Sequence, residues 1–202
     1  MQTECKYPGI IGLVLAGGKS RRMGEDKGLI SYFGKAQRIH CFELLEELGL
    51  EKVYTSCRED QLAELMEYFP LADRPGRAGP MFILDQALEM NPHKAFLLLP
   101  CDVPLMDAAS FEFLLKQRDP SKIATAFLSP FDGKPEPLLA IWEAKAHTLI
   151  QSYIAQDSIS PRRLLMAEDV KLIEAPSPEK LQNANSPEEQ EKIRAYIRSN
   201  KL

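Results

Sequence analysis

Residues 15–28 read Leu-Ala-Gly-Gly-Lys-Ser-Arg-Arg-Met-Gly-Glu-Asp-Lys-Gly, and their types and spacing point to the binding of a polyphosphate. Gly17 and Gly18 let the backbone turn tightly and bring bare N–H groups close to an anion. Four cations (Lys19, Arg21, Arg22 and Lys27) stand against two carboxylates (Glu25 and Asp26). Such a local excess of positive charge suits phosphate. Neither common phosphate loop fits. A P-loop needs a glycine five positions before the one in Gly18-Lys19-Ser20, and Leu13 stands there; the dinucleotide pattern G-x-G-x-x-G has no match. A second residue able to do chemistry is Asp102, in Pro100-Cys101-Asp102-Val103-Pro104. A polyphosphate is usually bound with a divalent cation, and Mg²⁺ typically takes one or two protein carboxylates plus phosphate oxygens. Asp102 also fits a turn or helix cap, although Asp107, just before a helical pattern, is the better cap.

These residues must be held by elements of regular structure. Residues 10–16 (Ile-Ile-Gly-Leu-Val-Leu-Ala) read as a buried strand that delivers the glycine loop. In open α/β sheets ligands bind beyond the carboxyl ends of strands, which is where this loop lies. Helical spacing over 37–48, closed by Gly49, is followed by a strand at 52–56 and a helix over 61–69. Asp73 opens a loop rich in proline and glycine, after which a helix runs from about 81 to 90. Residues 95–99 form a near-continuous apolar run, the mark of a parallel strand covered on both faces, and it ends just before Asp102. Further on, the pattern predicts a helix over 108–117, strands at 123–128 and 138–142, and a helix over 143–155. A helix from Ser160-Pro161, a strand at 170–173 and a final helix with a Ser186-Pro187-Glu188-Glu189 capping box complete the chain. Alternating strands and helices predict an α/β fold of three layers, a mostly parallel twisted sheet between helices, in one domain.

Composition narrows the classes. The 202 residues carry 25 Lys+Arg against 29 Asp+Glu, a net charge of −4, which argues against a dedicated nucleic-acid binder. Cys5, Cys41, Cys57 and Cys101, and likewise His40, His93 and His147, are too scattered for a zinc site, so reduced cysteines in a cytoplasmic protein are expected. No apolar segment approaches the ~18 residues of a membrane span. Trp142 reads as core.

The segment from Leu15 to Lys27 resembles the signature of nucleotidyltransferases with a dinucleotide-binding-like fold, most closely the molybdenum cofactor guanylyltransferases. Three later segments resemble the same family in order: residues 100–104, Pro135-Glu136-Pro137-Leu138, and Asn183-Ala184-Asn185-Ser186-Pro187-Glu188. The resemblance implies transfer of GMP from GTP to the terminal phosphate of the molybdopterin cofactor, with Mg²⁺, in concert with proteins of cofactor biosynthesis and molybdoenzyme maturation. It makes Arg22, Lys27 and Asp102 catalytic, with Asp102 the metal ligand. Leu15, Ala16, Gly17, Gly18, Lys27, Thr55, Asp73 and Asp102 would bind nucleotide, within an N-terminal part spanning about 10–105. Glu136, Asn183 and Asn185 would bind the pterin, within the remainder. The chain departs from the family at Thr55, where an asparagine is usual, and at Phe82 and Ile83, where a small residue and a glycine are common. Thr55 leaves a cytidylyltransferase open, alongside a sugar-phosphate nucleotidyltransferase and a non-catalytic cofactor carrier.

Overall fold

A computed structural model describes residues 4–18 and 26–201. Seven strands form one sheet in the order β3-β2-β1-β4-β6-β5-β7. These are β1 (Tyr7–Leu15), β2 (Leu50–Cys57), β3 (Pro70–Ala72), β4 (Ala95–Pro100), β5 (Ala124–Leu128), β6 (Pro135–Trp142) and β7 (Lys171–Glu174). β1 pairs in parallel with β2 and β4, β2 with β3, and β5 with β7. The sheet is therefore mostly parallel, as expected. β6 is the exception: it runs antiparallel to both β4 and β5, because a short connection joins it to β5 as a hairpin.

Alternation along the strands divides the core in two. Ile10 and Val14 of β1, with Leu97 and Leu99 of β4, pack with Phe42 and Leu45 of α1 (Gln37–Glu47) and Phe111 and Leu114 of α3 (Ala108–Lys116). Ile11 and Leu13, with Phe96 and Leu98, face the other way. They meet Leu84 and Leu88 of α2 (Pro80–Met90), Ile150 of α4 (Ala146–Ala155) and Leu164 of α5 (Pro161–Ala167). A strand with both faces covered must be apolar on both, which is why β4 is buried at every position. Trp142 is wholly buried and donates its indole N–H to the Pro137 carbonyl at 2.9 Å.

Local chemistry sets the ends of the elements. Asp107 caps α3, accepting from the Ser110 N–H at 2.9 Å, and Gly49 follows α1 with a φ of +74° that disfavours a side chain. Two expectations differ from the structure. The segment expected as a helix over 61–69 winds as 3-10 turns over Glu59–Tyr68, leading through Phe69 at φ 45° into the three-residue strand β3, which the sequence pattern does not signal. The helix expected from Glu143 begins at Ala146, because Glu143 is engaged elsewhere. Its N–H donates to the Ile123 carbonyl and its carboxylate accepts from Nε and Nη2 of Arg118, both at 2.7 Å. Among the described residues no helix is long and apolar enough to cross a membrane.

Candidate active site

The carboxyl ends of β1, β2, β3 and β4 converge on a cleft of about 540 Å³. Backbone hydrogen bonds stitch these ends together. The Cys101 N–H donates to the Leu15 carbonyl at 3.3 Å, and the Asp73 N–H to the Cys57 carbonyl at 2.9 Å. The Ala16 N–H donates to Ser56 Oγ at 3.2 Å. Leu15, Ala16, Gly17, Gly18, Lys27, Asp73 and Asp102 all line the cleft, so seven residues proposed from sequence come together there. A Cβ on Gly17 would lie 3.2 Å from the carbonyl carbon of Cys57 and 3.3 Å from Asp73 Oδ2. A side chain there would crowd the β2 backbone, whereas the space around Gly18 is clear.

Lys27 opens a 3-10 turn, Lys27–Leu29, capped by Asp26, whose Oδ1 accepts from the Gly28 N–H at 2.9 Å. Its ammonium reaches Asp102 Oδ2 at 3.3 Å and donates to Asn185 Oδ1. Lys27 and Asp102 are 75 positions apart in the chain, and each side chain is roughly a quarter exposed, at 23% and 28%. The C-terminal segment is tied to the same point, since the Ala184 N–H donates to the Asp102 carbonyl at 2.8 Å. It leads into α6 (Pro187–Asn200), whose Ile193 and Ile197 pack with Leu105, Ala184, Tyr32 and Phe33 in a third small core.

The remaining expectations are placed as follows. Arg22, with Lys19 and Arg21, lies outside the described residues. Thr55 does not line the cleft: it is wholly buried, and its neighbour Ser56, on the opposite side of β2, is the residue that reaches it. Glu136 is the second residue of β6, its carboxylate held by Arg162 Nη2 at 2.8 Å, and the same guanidinium bridges to Asp132 at 3.0 Å. Asn183 is half-buried beside Ala184. Ile83 takes part in the cleft wall, and Phe82 is not among the lining residues.

Sequence reasoning missed Arg58, which lines the cleft and donates to Asp26 Oδ2 from both terminal nitrogens at 3.3 Å. Gln61 Nε2 adds a 2.6 Å bond to that oxygen. Arg58 thus braces the turn that carries Lys27; its signal was a cation just past the carboxyl end of a strand. Burial pushes the Asp73 carboxyl above its usual range, partly offset by the charge of Arg58. The Cys101 thiol, which also lines the cleft, is pushed well up by its hydrogen bond with Cys41 and by burial. Burial and the charge of Asp73 raise Cys57. Neither is a thiolate, so nucleophilic sulfur chemistry has no support here.

The described residues hold no cluster of three or more His, Cys, Asp or Glu able to cage a metal. The carboxylate of Asp102, which belongs to no such cluster among the described residues, instead fits a cation that takes most of its ligands from phosphate oxygens and water.

The family model described as MobA-like NTP transferase domain matches residues 12–172. A molybdenum cofactor guanylyltransferase from Pseudomonas syringae is 36% identical over 193 residues, 93% of this chain and 94% of that protein. A molybdenum cofactor biosynthesis bifunctional protein from Synechocystis is 33% identical over 185 residues; the alignment covers 89% of this chain and 52% of that longer protein. Among solved structures, molybdopterin-guanine dinucleotide biosynthesis protein A from Archaeoglobus fulgidus superposes with a TM-score of 0.76 at 20% identity, covering 94% of this chain and 99% of that one.

Proposed function

The chain belongs to the MobA-like NTP transferase family, and from that premise we propose that it transfers GMP from GTP to the terminal phosphate of the molybdopterin cofactor, releasing pyrophosphate. The observation that carries this reading is the meeting of Lys27, Asp102 and Asn185 at the mouth of the glycine loop. It joins the two parts of the chain at the point where a triphosphate and a second substrate would come together.

The chemistry follows from charge. A phosphate oxygen of the cofactor attacks the α-phosphorus of GTP, the new P–O bond forms, and the bond to pyrophosphate breaks. A phosphomonoester is largely dianionic at pH 7, its second pKa being about 6, so the attack needs no general base. Catalysis then rests on position and on stabilising charge. The N–H groups of Gly17 and Gly18 meet the phosphates, and Lys27 neutralises charge gathering on the leaving group. Asp102 would hold Mg²⁺, which when bound offsets negative charge on the phosphates. Asp73 and Ser56, at the carboxyl ends of β3 and β2, serve the nucleoside. Thr55 is too buried for the base-reading role of the family's asparagine. Asn183 and Asn185 face the pterin, and Glu136 contributes to that end through its pairing with Arg162.

Pyrophosphate release with the cofactor and each of GTP, CTP, ATP and UTP tests the reading. Turnover with GTP at least tenfold above the others is expected. Preference for CTP would move the chain to the cytidylyl branch, and binding without pyrophosphate release would make it a carrier.

A further inference from the structure

We propose that Glu189, on the first turn of α6, is a positioning residue that holds Lys27 and the Asp102 loop in place through the backbone of Asn185; this rests on the roles just given to Lys27 and Asp102. In a capping box the carboxylate at the third helical position accepts from the N–H of the N-cap residue. Glu189 does this for Ser186, at 3.0 Å, while its own N–H donates to Ser186 Oγ at 3.2 Å. The same carboxylate oxygen, Oε2, takes a second and shorter bond of 2.6 Å from the N–H of Asn185, one residue before the cap. That bond lies outside the capping box itself. It fixes the residue whose side chain accepts from the Lys27 ammonium.

Three consecutive amides are thereby committed. Ala184 donates to the Asp102 carbonyl, and Asn185 and Ser186 donate to Glu189. The base beneath them is firm: Ile193 and Ile197 pack on Leu105, just past Asp102, and on Tyr32 and Phe33, just past the Lys27 turn. Arg194 adds a 2.9 Å bond to the Ser31 carbonyl. α6 therefore grips both loops that carry the phosphate chemistry, and Glu189 sets the orientation of the link. Its carboxylate needs no contact with either substrate.

The test compares Glu189→Ala, Glu189→Gln and Ser186→Ala in the full chain, with pyrophosphate release, KM for GTP and Tm measured for each. Glu189→Ala should lower kcat about tenfold or more, as loss of positioning does, while KM for GTP moves less than about twofold. The glutamine amide oxygen can accept both N–H groups, so Glu189→Gln should restore kcat to within about threefold. Ser186→Ala breaks the other half of the capping box and lowers Tm comparably, but leaves the Asn185 bond, so its kcat should stay within about twofold of the unmodified protein. Unchanged kcat in Glu189→Ala, or an equal loss of kcat in Ser186→Ala, overturns the proposal. Should Glu189→Ala fail to fold, Glu189→Asp decides: its carboxylate is pulled back by about 1.5 Å, and full kcat there would overturn it too. Unmodified protein that releases no pyrophosphate would defeat the functional reading and this inference together. Active protein with an indifferent Glu189 would defeat the inference alone.

Discussion

β1 to β4 on one side of the cleft and β6 on the other reach it in opposite senses. β1, β2, β3 and β4 run parallel and arrive with their carboxyl ends, presenting the backbone of residues 15–18 and the single side chains Ser56, Asp73 and Asp102. β6 runs antiparallel to β4 and arrives with its amino end, so Leu138, near its start, lines the same cleft. The parallel half presents a run of backbone at the cleft, whereas the C-terminal part is tied in through side-chain pairs, Glu136 with Arg162 and Asn185 with Lys27. The contrast suits the two substrates proposed. A triphosphate tail is the same in every nucleotide and is met by a fixed backbone cradle, whereas a pterin has donors and acceptors of its own that side chains must match.

Substitutions at the junction should break this division most severely. Lys27→Ala and Asp102→Ala are each expected to lower kcat by about 10²–10³ with the fold intact, the usual weight of one preorganised charge-stabilising group. Circular dichroism beside steady-state turnover checks both. Within the parallel half, Asp73→Asn should raise KM for GTP about tenfold, in keeping with about 1.5 kcal/mol for a hydrogen bond to a charged group. The same change should stabilise the protein. Burial raises the Asp73 carboxyl above its unfolded value, so folding favours its protonated form, and that contribution is lost as pH rises through the folded value. Melting curves should therefore show Asp73→Asn gaining most near pH 7 and losing its advantage near pH 4.

Asp107 provides the opposite sign at the base of α3. Burial pushes its carboxyl up, but the Ser110 N–H and hydroxyl and the ammonium of Lys180 outweigh that and leave it below its usual range. Asp107→Ala should cost about 1 kcal/mol at pH 7 by urea unfolding. The deficit should shrink as pH falls below about 4, where the unfolded carboxyl takes up its proton, and vanish below the lowered native value. The smallest effect should come from Arg162→Ala, which unhooks α5 from the β5–β6 hairpin. Stability should fall by no more than about 1 kcal/mol, because the guanidinium is 36% exposed. KM for the pterin substrate should rise while KM for GTP holds, and an equal rise in both would erase the contrast between the halves.

The sequence makes the parallel half legible because its signals are local. The apolar runs of β1 and β4 end beside Gly17 and Asp102, and caps such as Asp107 and Ser186 stand next to the patterns that they close. The other half was less legible because its determinants are distant in sequence. Nothing local in residues 135–142 says that β6 runs against its neighbours, and nothing near Glu143 announces that Arg118 claims it. Thr55 and Ser56 differ by one step along a strand, and one step reverses the face. Arg58 went unnoticed for the same reason: its importance lies in Asp26, 32 positions away.

A crystal structure with a non-hydrolysable GTP analogue and Mg²⁺ tests the central claim most directly. The account predicts the triphosphate across Gly17 and Gly18, Lys27 turned onto it, and Mg²⁺ held at Asp102. Nucleotide bound elsewhere, or Lys27 still paired with Asp102 beside a bound triphosphate, would contradict it.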